Sequence, residues 1–201
     1  MKADEHLCLH GLAIKKHATA DAIAHLVGLE TQKVERILAT SVAKGRVIEV
    51  KGKYVLSPTA RIALEADYSR VYADLRGNAR FIAAYEQFET INLALKTLIT
   101  DWQVVEVAGT RVPNNHSDRH NDEQLIDRLG DLHERVNSVL ADLASYLPRL
   151  SIYRDKLLAA LERAEAGEIE WVSDAHIESY HTVWFELHED LLRIVGRTRN
   201  E

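Results

Sequence analysis

A chain of 201 residues that is 46% hydrophobic and 28% charged has the make-up of an ordinary soluble globular protein with one large or two small domains. Its single cysteine, Cys8, excludes an intrachain disulfide and any multi-cysteine metal site, and no apolar run approaches the ~20 residues needed to span a bilayer. The net charge of −6 is unevenly spread: residues 15–61 carry nine Lys/Arg against four Asp/Glu, a net of +5, and residues 62–201 carry −10, the pattern of a polyanion-binding head on a non-binding body.

Leu7 to His17 is apolar-rich and reads as a first helix. Thr19 is an N-cap for a second, in which Ala20, Ile23, Ala24 and Val27 recur at helical spacing until Gly28 stops it. Thr31 reads as the next N-cap. From Gln32 the apolar stripe Val34, Ile37, Leu38, Ser41 and Val42 runs to Lys44-Gly45. Val47–Val50 and Tyr54–Leu56 are β-prone runs around Lys51-Gly52-Lys53, so a hairpin is expected there. Ser57-Pro58-Thr59 then opens another helix, since proline suits a helix's first turn.

Beyond Thr59 helical patterns dominate. Expected helices cover Arg61–Leu75, Ala79–Trp102, Asn121–Leu147, Leu150–Ala166 and His176–Val195, and residues 106–118 read as the one long loop. The expected fold class is mainly α. An N-terminal winged helix-turn-helix of three helices plus a β-hairpin occupies residues 1–66, and an α-helical bundle for dimerisation and effector binding occupies residues 67–201.

A helix-turn-helix reads DNA by placing its second helix in the major groove, about 12 Å wide. The apolar stripe turns Gln32, Lys33, Glu35, Arg36, Ala39 and Thr40 outward. Gln32 suits adenine edges, Arg36 guanine or phosphate, and Lys33 and Thr31 phosphate. Lys51 and Lys53 at the hairpin tip suit backbone phosphates, which set position without reading sequence. The expected DNA-binding set is therefore Thr31, Gln32, Lys33, Arg36, Thr40, Lys51 and Lys53.

Three stretches carry a resemblance: Thr19-Ala-Asp-Ala-Ile-Ala-His-Leu-Val-Gly-Leu29, Val34-Glu-Arg-Ile-Leu-Ala-Thr-Ser-Val-Ala-Lys-Gly-Arg-Val-Ile48 and Tyr54-Val-Leu-Ser-Pro-Thr-Ala-Arg61. Over Leu7 to Asp67 the chain resembles the winged helix-turn-helix domains of MarR-like bacterial transcription regulators. That likeness implies a homodimer on double-stranded, pseudo-palindromic DNA, with a small-molecule effector as a further partner. The body has its own set: Asn115-His-Ser-Asp118, Leu132-His133, Pro148-Arg-Leu-x-x-Tyr153 and Ser179-Tyr-His-Thr-Val-Trp-Phe-Glu-Leu-His-Glu-Asp-Leu-Leu192. These resemble a helical domain found in bacterial proteins related to phosphoenolpyruvate-utilising enzymes. The phosphohistidine and phosphate-binding signatures of such enzymes are missing, so the resemblance implies lineage and no particular chemistry.

The body concentrates its polar and aromatic residues at 114–120 and 179–190. Trp102, His116, Asp118, Tyr180, His181, Trp184 and His188 form the expected effector-binding set. An enzyme or metal-binding protein using the same His/Asp/Glu groups is the alternative. Against it, His181 and His188 stand about 10 Å apart along a helix, and no HExxH, nucleophile elbow or glycine-rich phosphate loop occurs. The expectation is therefore a non-enzymatic protein without cofactor or metal. The opening Met1-Lys-Ala-Asp-Glu-His6 lacks the basic-then-apolar order of a signal peptide, which points to the cytoplasm and to no membrane partner.

Overall fold

The structure, a computed structural model, describes residues 1–107 and 109–198, without the side chain of Val107. It is mainly helical, with two separate antiparallel hairpins among the described residues. The chain divides into two compact units, Met1–Asn78 with His188–Glu201, and Ala79–Leu187. The expected domain boundary at 66/67 lies within a helix of the first unit, whose chain is interrupted by the whole of the second.

The first unit begins with α1 (Ala3–Lys15), α2 (Ala20–Val27) and α3 (Thr31–Ala43). Thr19 accepts a hydrogen bond from the Ala22 amide at 3.3 Å and so fixes the start of α2. Gly28 ends α2 in the left-handed conformation that glycine adopts at no steric cost. Gly11 lets α1 approach α2 closely, because a Cβ there would lie 2.6 Å from Val27 Cγ1. Val34, Leu38 and Ser41 form the buried edge of α3, with Ile37 and Val42 half-buried beside them.

Strands β1 (Val47–Val50) and β2 (Lys53–Leu56) pair antiparallel with Val50 opposite Lys53. The two-residue turn Lys51-Gly52 has positive φ at both positions, 51° and 75°, as the tight mirror-image hairpin turn requires. Ala18 and Tyr54 exchange backbone hydrogen bonds at 3.2 and 2.8 Å, which ties β2 to the segment after α1. Helix α4 (Pro58–Val71) starts with proline in its first turn and Ser57 accepting from the Ala60 amide, and α5 (Ala73–Gly77) follows.

In the second unit α6 (Ala79–Gln103) packs along α7 (Arg119–Tyr146), and α7 along α8 (Ser151–Glu165). Phe81, Phe88, Leu95 and Leu98 of α6 are essentially sealed, as are Leu129, Val136, Leu140 and Leu143 of α7. At roughly 1.5–3 kcal/mol for each fully buried large apolar side chain, this seam dominates the unit's stability. Between α6 and α7 the expected 106–118 loop is corrected: β3 (Val104–Val107) pairs with β4 (Thr110–Pro113), Val105 opposite Val112. The β-branched run at 104–107 favours a strand, and Gly109 at φ 78° supplies the turn. A 3₁₀ turn at Pro148–Leu150 leads into α8, and α9 (Glu170–Ser173) precedes α10 (Tyr180–Val195).

Helix α10 belongs to the second unit up to Leu187 and to the first from His188. Its C-terminal end is held by Arg76, whose guanidinium donates to the Ile194 and Arg193 carbonyls at 2.8 and 3.0 Å. A cation over unsatisfied carbonyls is the favourable sign for a helix C-terminus. No described helix is long and apolar enough to cross a membrane.

Candidate functional site

Helix α3 presents a polar face. Gln32, Glu35, Arg36, Ala39 and Thr40 are exposed, as are Lys51 and Lys53 at the hairpin tip. Gln32, Arg36, Lys51 and Lys53 make no side-chain hydrogen bond or ion pair with any described residue. The face adjoins a shallow groove of about 350 Å³ between the start of α1 and α3, lined by Arg36, Ile37 and Thr40 together with Asp4 and Glu5.

Two of the expected residues are already engaged. Thr31 is the first helical residue and not the N-cap: Glu30 occupies that position without a side-chain bond, and the Thr31 hydroxyl donates to Asp21 at 3.0 Å. A neighbouring carboxylate thus takes the hydroxyl that capping would have used. Lys33 is bridged to Asp4 at 2.7 Å, and nearby Arg46 to Glu5 at 2.5 Å. Sequence reading missed these acids because they lie in the first turn of a different helix. Thr40 donates to the Arg36 carbonyl one turn back, which leaves its oxygen lone pairs outward.

The expected effector set is split. His188 lies in the first unit, and the others lie in the second. Trp184 and Tyr180 of α10 come together in the core: Trp184 stacks on Phe88 at 5.0 Å, and its indole N–H donates to Asn92 at 2.9 Å. The Tyr180 hydroxyl lies 3.4 Å from His133 Nδ1. Burial, and then the Arg154 charge, lower the His133 pKa, and burial raises that of Tyr180, so both are neutral near pH 7. His181 is half-buried on the same helix.

Trp102 and His116 meet where α6 and β4 approach α7, with ring centroids 4.6 Å apart. His116 Nδ1 lies 3.1 Å from Asp122 Oδ1, and because a carboxylate only accepts, Nδ1 carries the proton. Asp118 is not the partner of this histidine. It caps α7 by accepting from the Asn121 amide at 3.2 Å. Asn114 completes the arrangement, donating to the Trp102 carbonyl at 3.0 Å and accepting from the His116 amide at 3.0 Å. His116 is held at φ 56°, a left-handed conformation uncommon outside glycine. Among the described residues, no group of three or more His, Cys, Asp or Glu side chains is placed to hold a metal ion.

The first unit holds a further polar cluster that sequence reading did not find. His10 and Asp190 are fully buried 2.9 Å apart, and the other ring nitrogen of His10 lies 3.0 Å from the Tyr68 hydroxyl. One turn earlier His6 Nδ1 lies 3.0 Å from Asp67. Comparison with family models, with characterised proteins and with solved structures gives no match for this chain.

Proposed function

We propose that the first unit is a winged helix-turn-helix and that the protein is a DNA-binding transcription regulator, not an enzyme, working in the cytoplasm. One observation carries this reading. A single compact unit holds the order helix, short turn, helix, hairpin, and both its exposed helix face and its hairpin tip carry unengaged Gln32, Arg36, Lys51 and Lys53. In this reading α3 enters the major groove, Gln32 and Arg36 face base edges, and Thr40 lies beside them. Lys51 and Lys53 contact phosphates. Thr31 and Lys33 join the interface only when DNA phosphate displaces Asp21 and Asp4.

Two copies would set their α3 helices about 34 Å apart, one turn of duplex, which suits a pseudo-palindromic operator. Leu93, 65% exposed on α6, is an apolar group that such a dimer would cover. The second unit then has the role of taking a small effector, for which His116 is the member of the expected set that lines a cavity, with Trp102 buried behind it.

The test is fluorescence anisotropy with labelled duplexes, including the protein's own upstream region, over a salt series. Affinity is expected to fall steeply with salt. Lys51→Ala should lower the log–log salt slope by about 1, and Arg36→Ala should cost about 1–3 kcal/mol on the preferred sequence. Unchanged affinity in the Arg36→Ala, Lys51→Ala double variant, or no duplex binding at low salt, would sink the reading.

A further inference from the structure

Beside His116 lies a cavity of about 540 Å³, within the ~300–1,000 Å³ range of small-molecule sites. It lies wholly in the second unit, between the first turns of α7 and the end of α8. Its wall is apolar at Ile126 and Ala164, both buried, and at Ile169. Around that wall stand Glu123, Asp127 and Glu165, with Arg119 the only guanidinium lining it.

The orientation of His116 fixes what the cavity asks of a ligand. Nδ1–H is spent on Asp122, itself buried, and the imidazole rests on Trp102. The Asn114 side chain holds the backbone that carries the ring. Nε2 makes no hydrogen bond to any described residue, and in the neutral imidazole it is a lone-pair acceptor. Every uncharged or anionic polar group on the lining therefore accepts, and the carboxylates outnumber the single cation. An anion would meet like charge, and a neutral acceptor would meet only acceptors apart from Arg119. A donor-rich cation meets complementary hydrogen bonds and charge, and a flat or aliphatic body covers the apolar wall.

We propose that this cavity binds a small organic cation carrying an ammonium or amidinium group on an apolar body. Nε2 of His116 accepts one N–H of the ligand, and Asp127 and Glu165 balance its charge. The proposal rests on the reading that the second unit takes a ligand, and it specifies the ligand's chemical class. It does not depend on whether the first unit binds DNA.

Isothermal titration of the full chain with benzamidinium chloride, benzoate and benzyl alcohol separates the claims. Saturable binding of benzamidinium alone is expected, with a shift of the His116 ring-proton resonances. The Asp127→Asn, Glu165→Gln double variant changes only exposed positions and should bind about tenfold more weakly, the size expected for two partly exposed charge contacts. His116→Asn, which tolerates the left-handed backbone, should weaken binding, and the stability it loses with the Asp122 contact is read separately from a thermal melt. If benzoate or benzyl alcohol binds as well as benzamidinium, or if the double variant binds undiminished, the charge assignment is overturned while a ligand site in this unit stands. If none of the three probes binds, the ligand reading of the cavity falls with it.

Discussion

His10 with Asp190 and His116 with Asp122 are the same two side chains at nearly the same separation, 2.9 and 3.1 Å, yet they are set for different work. In the first unit both partners have no solvent exposure and both imidazole nitrogens are engaged, one by Asp190 and one by the Tyr68 hydroxyl. In the second unit the His116 side chain is 26% exposed and its Asp122 partner 7%, with one nitrogen committed and the residue lining a cavity. A histidine whose hydrogen bonds are all internal holds structure together. One whose carboxylate fixes the tautomer and leaves an acceptor beside a cavity is prepared for a ligand. His6 with Asp67 falls between them, buried on the histidine side and 13% exposed on the other.

The sharpest way to break this comparison is to remove the sealed carboxylate. Asp190→Ala removes the fully buried carboxylate partner of His10 and should cost about 3–5 kcal/mol in urea-melt stability. Asp122→Ala should cost less, about 1–2 kcal/mol, because His116 can turn its freed nitrogen to water. If the two losses are equal, the distinction between structural and ligand-facing pairs is wrong.

Acid should act next, on the intermediate pair. Burial alone would raise Asp67, but hydrogen bonds from Arg70 and His6 outweigh it and hold the carboxyl below its ordinary value. A carboxyl lowered in the folded state adds stability that is complete above the unfolded value, about 3.9, and lost as pH falls through the lowered one. Asp67→Asn should therefore lower stability in the neutral region by up to about 1 kcal/mol and leave the acid end little changed, which flattens the curve between them. A full acid limb in that variant would assign the loss to other carboxylates.

The mildest measurement follows Cys8, which lies in α1 between the two histidines. Burial, aided by the Glu5 charge, pushes its thiol up to about 12. Alkylation by iodoacetamide should be very slow in the native protein and should quicken in Asp190→Ala. Rapid alkylation of the native chain would mean that the α1 interior is not closed.

Much of the first unit could be read from sequence because its punctuation is local. Thr19, Gly28, Lys51-Gly52 and Ser57-Pro58 each act through the backbone of neighbouring residues, so the helices and first hairpin follow from short windows. The second hairpin gives a similar signal, Val104–Val107 before Gly109, but it abuts the long α6 pattern and was absorbed into a loop. Side-chain partners were the part sequence could not supply. Asp118, two residues from His116, is taken up by capping α7, and the helical rise brings Asp122 to the imidazole instead. Asp190 is 180 positions from His10, and no periodicity joins them.

That separation also bears on how the molecule is made. A ribosome adds about 5–20 residues per second, so His10 is translated roughly 10–40 s before Asp190 exists. The second unit, translated in between, has all its residues before the first can close. The end of the chain made first is therefore finished last. Until Asp190 arrives, His10 must wait without its carboxylate, and any chain broken off before that residue leaves it so.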